Sequence, residues 1–203
     1  MILICGQDIG RTRAYTALVC LVVKDNKLYV KDVIQWPHIN STIYESETIQ
    51  YCQDNQITKI LVDASGLATS HEKYEQAGLY AEGIKFTDQW KHDAFTLYNG
   101  LLSGEILHIH PKFTELTRQM KLQLLKPGMG HTPKYTEPSG DFDDQLWALI
   151  LACWGAVEYM DNPSEIMVAS KKPKYGHRDE EWGSAIPDKF WMTSQGRETY
   201  YPS

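Results

Sequence analysis

Ser139-Gly140-Asp141-Phe142-Asp143-Asp144-Gln145-Leu146-Trp147-Ala148-Leu149-Ile150-Leu151-Ala152-Cys153-Trp154 begins as turn chemistry, passes through paired carboxylates and becomes a long apolar run. From Leu146 to Val157 it holds no charged residue and no proline. Leu146, Ile150, Cys153 and Val157 share one helical face, while Trp147, Leu149, Leu151 and Trp154 cover the others. A helix that is apolar nearly all round is a buried helix, so the rest of the fold must wrap this one. Asp143 and Asp144 fall in its first turn, where unpaired backbone N–H groups and the helix dipole favour ionised carboxylates. On their own they read as an ordinary acidic helix start.

Two aspartates far upstream alter that reading. Ile2 to Asp8 is apolar on both faces, the pattern of a central strand, and it ends in Gly6-Gln7-Asp8-Ile9-Gly10-Arg11-Thr12. The glycines permit a tight turn and close backbone approach around the carboxylate. Tyr15 to Val23 and Lys27 to Trp36 predict two more strands, joined through Asp25-Asn26 as an antiparallel meander. A helix is expected over residues 42–55, with Ile43, Glu47, Ile49 and Cys52 on its mixed face. Another buried strand, Ile57 to Asp63, also ends in a carboxylate followed by small residues, Ala64-Ser65-Gly66. Asx turns at strand ends would explain either aspartate singly. A short helix over 71–77, a fifth strand over 82–86 and a helix capped by Asp88 follow. A further helix is expected over 113–125, with Leu116, Met120 and Leu124 on one face, then a breaker-rich loop or hairpin over 126–134. The order predicts an α/β fold: a mixed five-stranded sheet, three antiparallel strands then two parallel, with helices on both faces.

If the strands ending at Asp8 and Asp63 are parallel neighbours, both carboxylates emerge at one sheet edge, where ligand sites of such sheets lie. The helix opening with Asp143-Asp144 can face them. Carboxylates converging without matching cations repel one another, and a hard divalent cation is the simplest remedy. Two such ions about 4 Å apart support in-line attack of water on a phosphodiester. His108 and His110 share a face of a short extended piece but read as surface residues, with no Cys or Glu at ligand spacing. No GxxxxGK[ST] phosphate loop is present. Arg118, Lys121, Lys126 and Lys134 are candidate phosphate contacts, with a solvated basic face the equal alternative, and Arg11 and Arg13 join the candidates beside Asp8.

The chain has 203 residues and a formal charge of −6, which does not suggest a generic nucleic-acid binder and does not exclude one, since a metal-dependent nuclease concentrates carboxylates and brings cations to offset them. Residues 1–162 read as one domain and 163–203 as a polar C-terminal tail with no period. Cys5, Cys20, Cys52 and Cys153 lack CxxC spacing and read as reduced core residues. Met1-Ile2-Leu3-Ile4-Cys5 lacks the basic start and length of a secretory signal, and no apolar stretch is long enough to span a bilayer.

Gly6-Gln7-Asp8-Ile9-Gly10, Val62-Asp63-Ala64-Ser65-Gly66 and Phe142-Asp143-Asp144-Gln145-Leu146-Trp147-Ala148-Leu149 resemble the three acidic motifs of the nuclease domain of phage terminase large subunits. The similarity covers about residues 1–160. It implies a ribonuclease H-like fold and cleavage of double-stranded DNA with two Mg²⁺ or Mn²⁺ ions during viral genome packaging. It further implies that Asp8 bridges both ions, Asp63 holds one and Asp143 the other, with Asp144 assisting. Implied partners are DNA, a packaging ATPase and portal or capsid components, in the cytoplasm of the host cell. Two departures stand out. Phe142 holds the place where the family commonly has His, and the family's N-terminal ATPase is missing, as expected of an excised domain or a separately encoded nuclease subunit. A Holliday-junction resolvase and an actin-like nucleotide-binding domain are the alternatives; the second needs a duplicated half for which the chain is too short.

Overall fold

Period-two and fully apolar runs in the first part of the chain become three antiparallel strands, β1 (Ile2–Asp8), β2 (Thr16–Lys24) and β3 (Lys27–Trp36). Asp25 and Asn26 link the last two at φ of 51° and 56°, the left-handed pair that a tight hairpin requires and short polar side chains tolerate. This computed structural model describes residues 1–10, 15–37, 40–65, 69–122, 124–126, 134–136 and 142–161, with 124–126 and 134–136 as backbone. The expected tail over 163–203 and the candidate contacts Arg11 and Arg13 lie outside the described residues.

Helix α1 (Ser41–Asp54) starts at Asn40, whose side chain accepts the Thr42 N–H, and returns the chain to β4 (Lys59–Asp63). Its buried residues are Tyr44, Glu45, Thr48 and Cys52, while Ile43 is 46% exposed. The expected face of Ile43, Glu47, Ile49 and Cys52 is therefore rotated. Burial of Glu45 is possible because Ser70 Oγ and Lys73 Nζ each reach its carboxylate at 2.7 Å, and a buried charge persists when it is paired and hydrogen-bonded. Helix α2 (Ser70–Gln76) ends before Gly78, at φ +84°, and leads to β5 (Ala81–Ile84). Helix α3 (Asp88–Ser103) is capped by Thr87, which accepts the Trp90 N–H; Asp88, the expected cap, sits one residue inside.

The sheet has six strands in the order β5-β4-β1-β2-β3-β6. The sixth, β6 (Leu107–His108), lies parallel to β3 and corrects the expected count of five. The short extended piece expected over Ile106 to His110 becomes a sheet strand through pairing: the Leu28 N–H donates to Ile106 O at 2.9 Å beside it. Helix α4 (Thr114–Leu122) also stops earlier than expected. Leu116 and Met120 are buried, but Leu124 opens a hairpin of β7 (Leu124–Lys126) and β8 (Lys134–Thr136).

Helix α5 (Asp144–Ala156), followed by a 3₁₀ turn over Val157–Tyr159, is the expected buried helix. Every one of its residues except Trp154 is buried. At about 1.5–3 kcal/mol for each large apolar side chain removed from water, it is the largest single contributor to the core. It packs on β1, β2 and β4 with α3 and α4 beside it, while α1 and α2 cover the opposite face. Gly6 makes the close crossing possible: a Cβ there would strike the Ala148 carbonyl oxygen and the Ala152 backbone nitrogen. Gly155 does the same from the helix side, against Leu61 and Ile4.

Candidate acidic site

Register and pleat bring the first two aspartates together. β1 and β4 are parallel, with Gln7 opposite Val62, so Asp8 and Asp63 end neighbouring strands side by side, about 4.8 Å apart in the pairing direction. Gly6 faces α5 and Gln7 faces α1 and α2, where its side chain bonds Thr48 and Tyr74. Alternation returns Asp8 to the α5 side. Leu61 belongs to the α5-side core and Val62 to the other, so Asp63 follows Asp8. Asp63 Oδ1 also accepts the Ser65 N–H at 2.8 Å, which makes it an Asx turn as well as a member of the cluster.

The beginning of α5 supplies the other two. Asp143 is its N-terminal flanking residue, at φ −128° and ψ 18°, but its side chain makes no capping bond. Gln119 of α4, 2% exposed, does that work from a distance: its Oε1 accepts the N–H groups of Gln145 at 2.9 Å and Leu146 at 3.2 Å. The Asp143 carboxylate instead accepts the indole N–H of Trp147 through Oδ2 at 2.8 Å. Asp144 is 4% exposed. The reading of Asp143 as an ordinary cap therefore does not hold.

The electrostatics register this crowding. Burial first, then the negative charges of Asp63, Asp144 and Asp143, push the Asp8 carboxyl well above the ordinary carboxylate range, and Lys91 opposes them. Lys91, on α3, has its ammonium 4.8 Å from the Trp147 ring centroid and 5.4 Å from that of Phe86. Among the described residues, no group of three or more His, Cys, Asp or Glu side chains stands at metal-holding spacing. Carboxylates without a cation repel and take local donors, as Asp63 does with Ser65 and Asp143 with Trp147. The donor set itself, hard carboxylate oxygens with no thiolate or imidazole among them, fits Mg²⁺ or Mn²⁺.

No family model matches the sequence, and no curated protein matches it either. Solved structures do. The large terminase nuclease from the thermophilic phage G20c aligns with a TM-score of 0.67 at 12% identity, over 74% of this chain and 80% of that one.

The chain has the fold of a phage large-terminase nuclease domain.

The G20c nuclease with bound magnesium aligns equally well. A mutant nuclease domain of the large terminase subunit gp2 of the bacterial virus Sf6, with manganese and beta-thujaplicinol, gives a TM-score of 0.59 at 10% identity, over 75% of this chain and 88% of that one. The HK97 large terminase gives 0.62 at 12% identity, and this chain spans 39% of it. The terminase-nuclease fold is ribonuclease H-like, with the mixed sheet expected from the sequence.

On that terminase-like frame the basic candidates are dispersed. Lys121 is exposed on α4. Lys126 and Lys134 are register partners across the β7–β8 hairpin. Arg118 is engaged with Glu115 through two contacts of 2.8 Å. His108 stacks on Tyr29, ring centroids 4.8 Å apart, and its pKa is lowered by burial and by Lys27; His110 Nδ1 accepts the Lys112 N–H. Phe142 packs edge-on against Tyr15 at 5.1 Å. All four cysteines are buried and unbridged, as expected. Gln119, Trp147 and Lys91 escaped the sequence reading. The i, i+4 spacing of Asp143 and Trp147 was the one available signal; Gln119 and Lys91 reach the site only through tertiary packing.

Proposed function

We propose that this chain is a metal-dependent endonuclease that hydrolyses double-stranded DNA, acting in viral genome packaging as a terminase nuclease. The observation that carries the reading is the alignment of Asp8 and Asp63 on adjacent parallel strands, on the face where α5 delivers Asp143 and Asp144. The likeness to nuclease domains with bound magnesium and manganese supports it.

In this reading two divalent ions would be held by Asp8, which would serve both, by Asp63 on one and by Asp143 on the other, and Asp144 would assist. When bound, the ions supply an activated water and stabilise the departing oxygen of the phosphodiester. The chain's own part is to hold four carboxylates rigidly. β1 and β4 set the spacing of the first pair, and the Ser65 N–H orients Asp63. Gln119 anchors the start of α5. The buried α5 backbone, seated on Gly6, limits how far Asp143 and Asp144 can retreat from mutual repulsion. Arg11, Arg13, Lys121, Lys126 and Lys134 would meet phosphates and position the duplex without reading its sequence. Packaging ATPase and portal or capsid components would be the protein partners.

The test is plasmid cleavage with Mn²⁺, with and without EDTA, in the absence of ATP. Cleavage that needs the metal and not ATP is expected. Cleavage indifferent to EDTA, or strictly dependent on ATP, would refute the assignment. A four-way junction cut in preference to plasmid would move the reading to a junction resolvase.

A further inference from the structure

Of the two acids delivered from outside the sheet, Asp144 is buried within the helix, whereas Asp143 sits on a residue with non-helical backbone angles and partial exposure. A carboxylate on such a residue can turn about its side-chain torsions unless something holds it. Trp147, one helical turn along, bonds both the backbone and the carboxylate of Asp143. Its backbone N–H donates to the Asp143 carbonyl at 3.0 Å, and its indole Nε1–H donates to Oδ2 at 2.8 Å. The indole is itself immobilised. Trp147 is 4% exposed, with Phe86 at 5.4 Å, Phe95 at 6.4 Å and the Lys91 ammonium at 4.8 Å from its ring. The donor is also neutral. An Arg or Lys partner would compete with a cation for the negative charge, whereas an indole N–H orients the carboxylate and leaves that charge intact. Capping of α5 by Gln119 completes the division of labour, since the helix start does not draw on the Asp143 side chain.

We infer that Trp147 is a positioning residue that holds the Asp143 carboxylate, through its indole N–H, in the orientation in which it receives a divalent cation. The inference rests on the metal-site reading above. Partners of this kind, one bond removed from the ion, change metal affinity by about 10- to 100-fold when removed.

The experiment is Mn²⁺ binding by calorimetry, with melting in EDTA as a check of folding, on wild type, Trp147→Phe, Asp143→Asn and the double variant. Trp147→Phe keeps an aromatic ring beside Phe86 and beneath Lys91 and removes the N–H together with the second ring of the indole. It should stay folded in EDTA, melting below wild type by the cost of the lost ring, and bind Mn²⁺ about 10-fold more weakly. Combined with Asp143→Asn it should weaken binding no further than Asp143→Asn alone, because its effect passes through that carboxylate. Equal Mn²⁺ affinity in wild type and Trp147→Phe would overturn the inference, and so would losses that add in the double variant. Should Trp147→Phe fail to fold, Trp147→Met, flexible and without a donor, carries the same comparison. A wild type that binds no Mn²⁺ and leaves plasmid uncut sinks the site reading itself. A wild type that binds and cuts, beside an unaffected Trp147→Phe, sinks only the role of the indole.

Discussion

Gln7 and Asp8 are adjacent on β1 and face opposite sides of the sheet. Gln7 is fully buried, and both ends of its amide are used: Nε2 donates to Thr48 Oγ1 at 2.9 Å, and Oε1 accepts the Tyr74 hydroxyl at 2.6 Å. It ties the end of β1 to α1 and α2 with neutral groups. Asp8 lies in the field of three further carboxylates and one opposing ammonium, and its carboxyl is driven upward by burial and by those negative charges. A satisfied neutral network in a core stabilises and specifies. A crowd of like charges costs stability, and in a fold that otherwise pairs its buried ions it needs another explanation. Lys59 shows the alternative at the far end of β4: 2% exposed, it is met by Glu82 at 2.7 Å and Glu158 at 2.8 Å.

The comparison can be broken most sharply at Asp8. Asp8→Asn should lower plasmid cleavage by about 1,000-fold or more, the scale on which loss of transition-state charge stabilisation is felt. Near wild-type cleavage at saturating Mn²⁺ would place the chemistry elsewhere. Gln7→Leu should act in the opposite sense. It leaves the buried Tyr74 hydroxyl and Thr48 without their partner, at about 1–3 kcal/mol of stability in urea unfolding. The increment in melting temperature from Mn²⁺ should nevertheless be unchanged. A Gln7→Leu protein that folds but no longer responds to the metal would show that the two faces are not independent.

The smallest expected effect concerns pH. The Asp8 carboxyl is raised in the folded chain, so the folded state binds more protons than the unfolded one. Its favourable contribution is fully present below the ordinary carboxylate value of 3.8 and is lost as pH rises through the raised folded value. In EDTA, Asp8→Asn should therefore melt above wild type at pH 7–8, and the difference should close in acid. Each kcal/mol of relief corresponds to about 2–4 °C for a chain of this size. Mn²⁺, by binding only the folded state, should raise wild type and leave Asp8→Asn nearly where it was. A lower melting temperature for Asp8→Asn in EDTA at pH 8 would mean that Asp8 is stabilising where it stands.

Much of the fold was legible in the chain. β1 and β3 run over the residues their apolar patterns mark, and the buried α5 follows from an uncharged stretch that no solvent-facing helix would carry. These are short-range properties: period, polarity and turn chemistry act within a few residues. The convergence of Asp8 and Asp63 was inferable too, because a central apolar strand and a helix-length crossover already imply parallel neighbours. Other features belong to partners distant in sequence. β6 is two residues made into a strand by β3, and the rotated face of α1 depends on Ser70 and Lys73 reaching Glu45. Whether Asp143 caps its helix was decided by Gln119, which takes the α5 amides across 26 and 27 residues of chain, and by an indole that turns the carboxylate aside. The sequence by itself determined which acids the molecule owns and that two of them end its central strands. Only tertiary packing decided which of their oxygens accept local N–H groups, because hydrogen-bond partners compete in space and not along the chain.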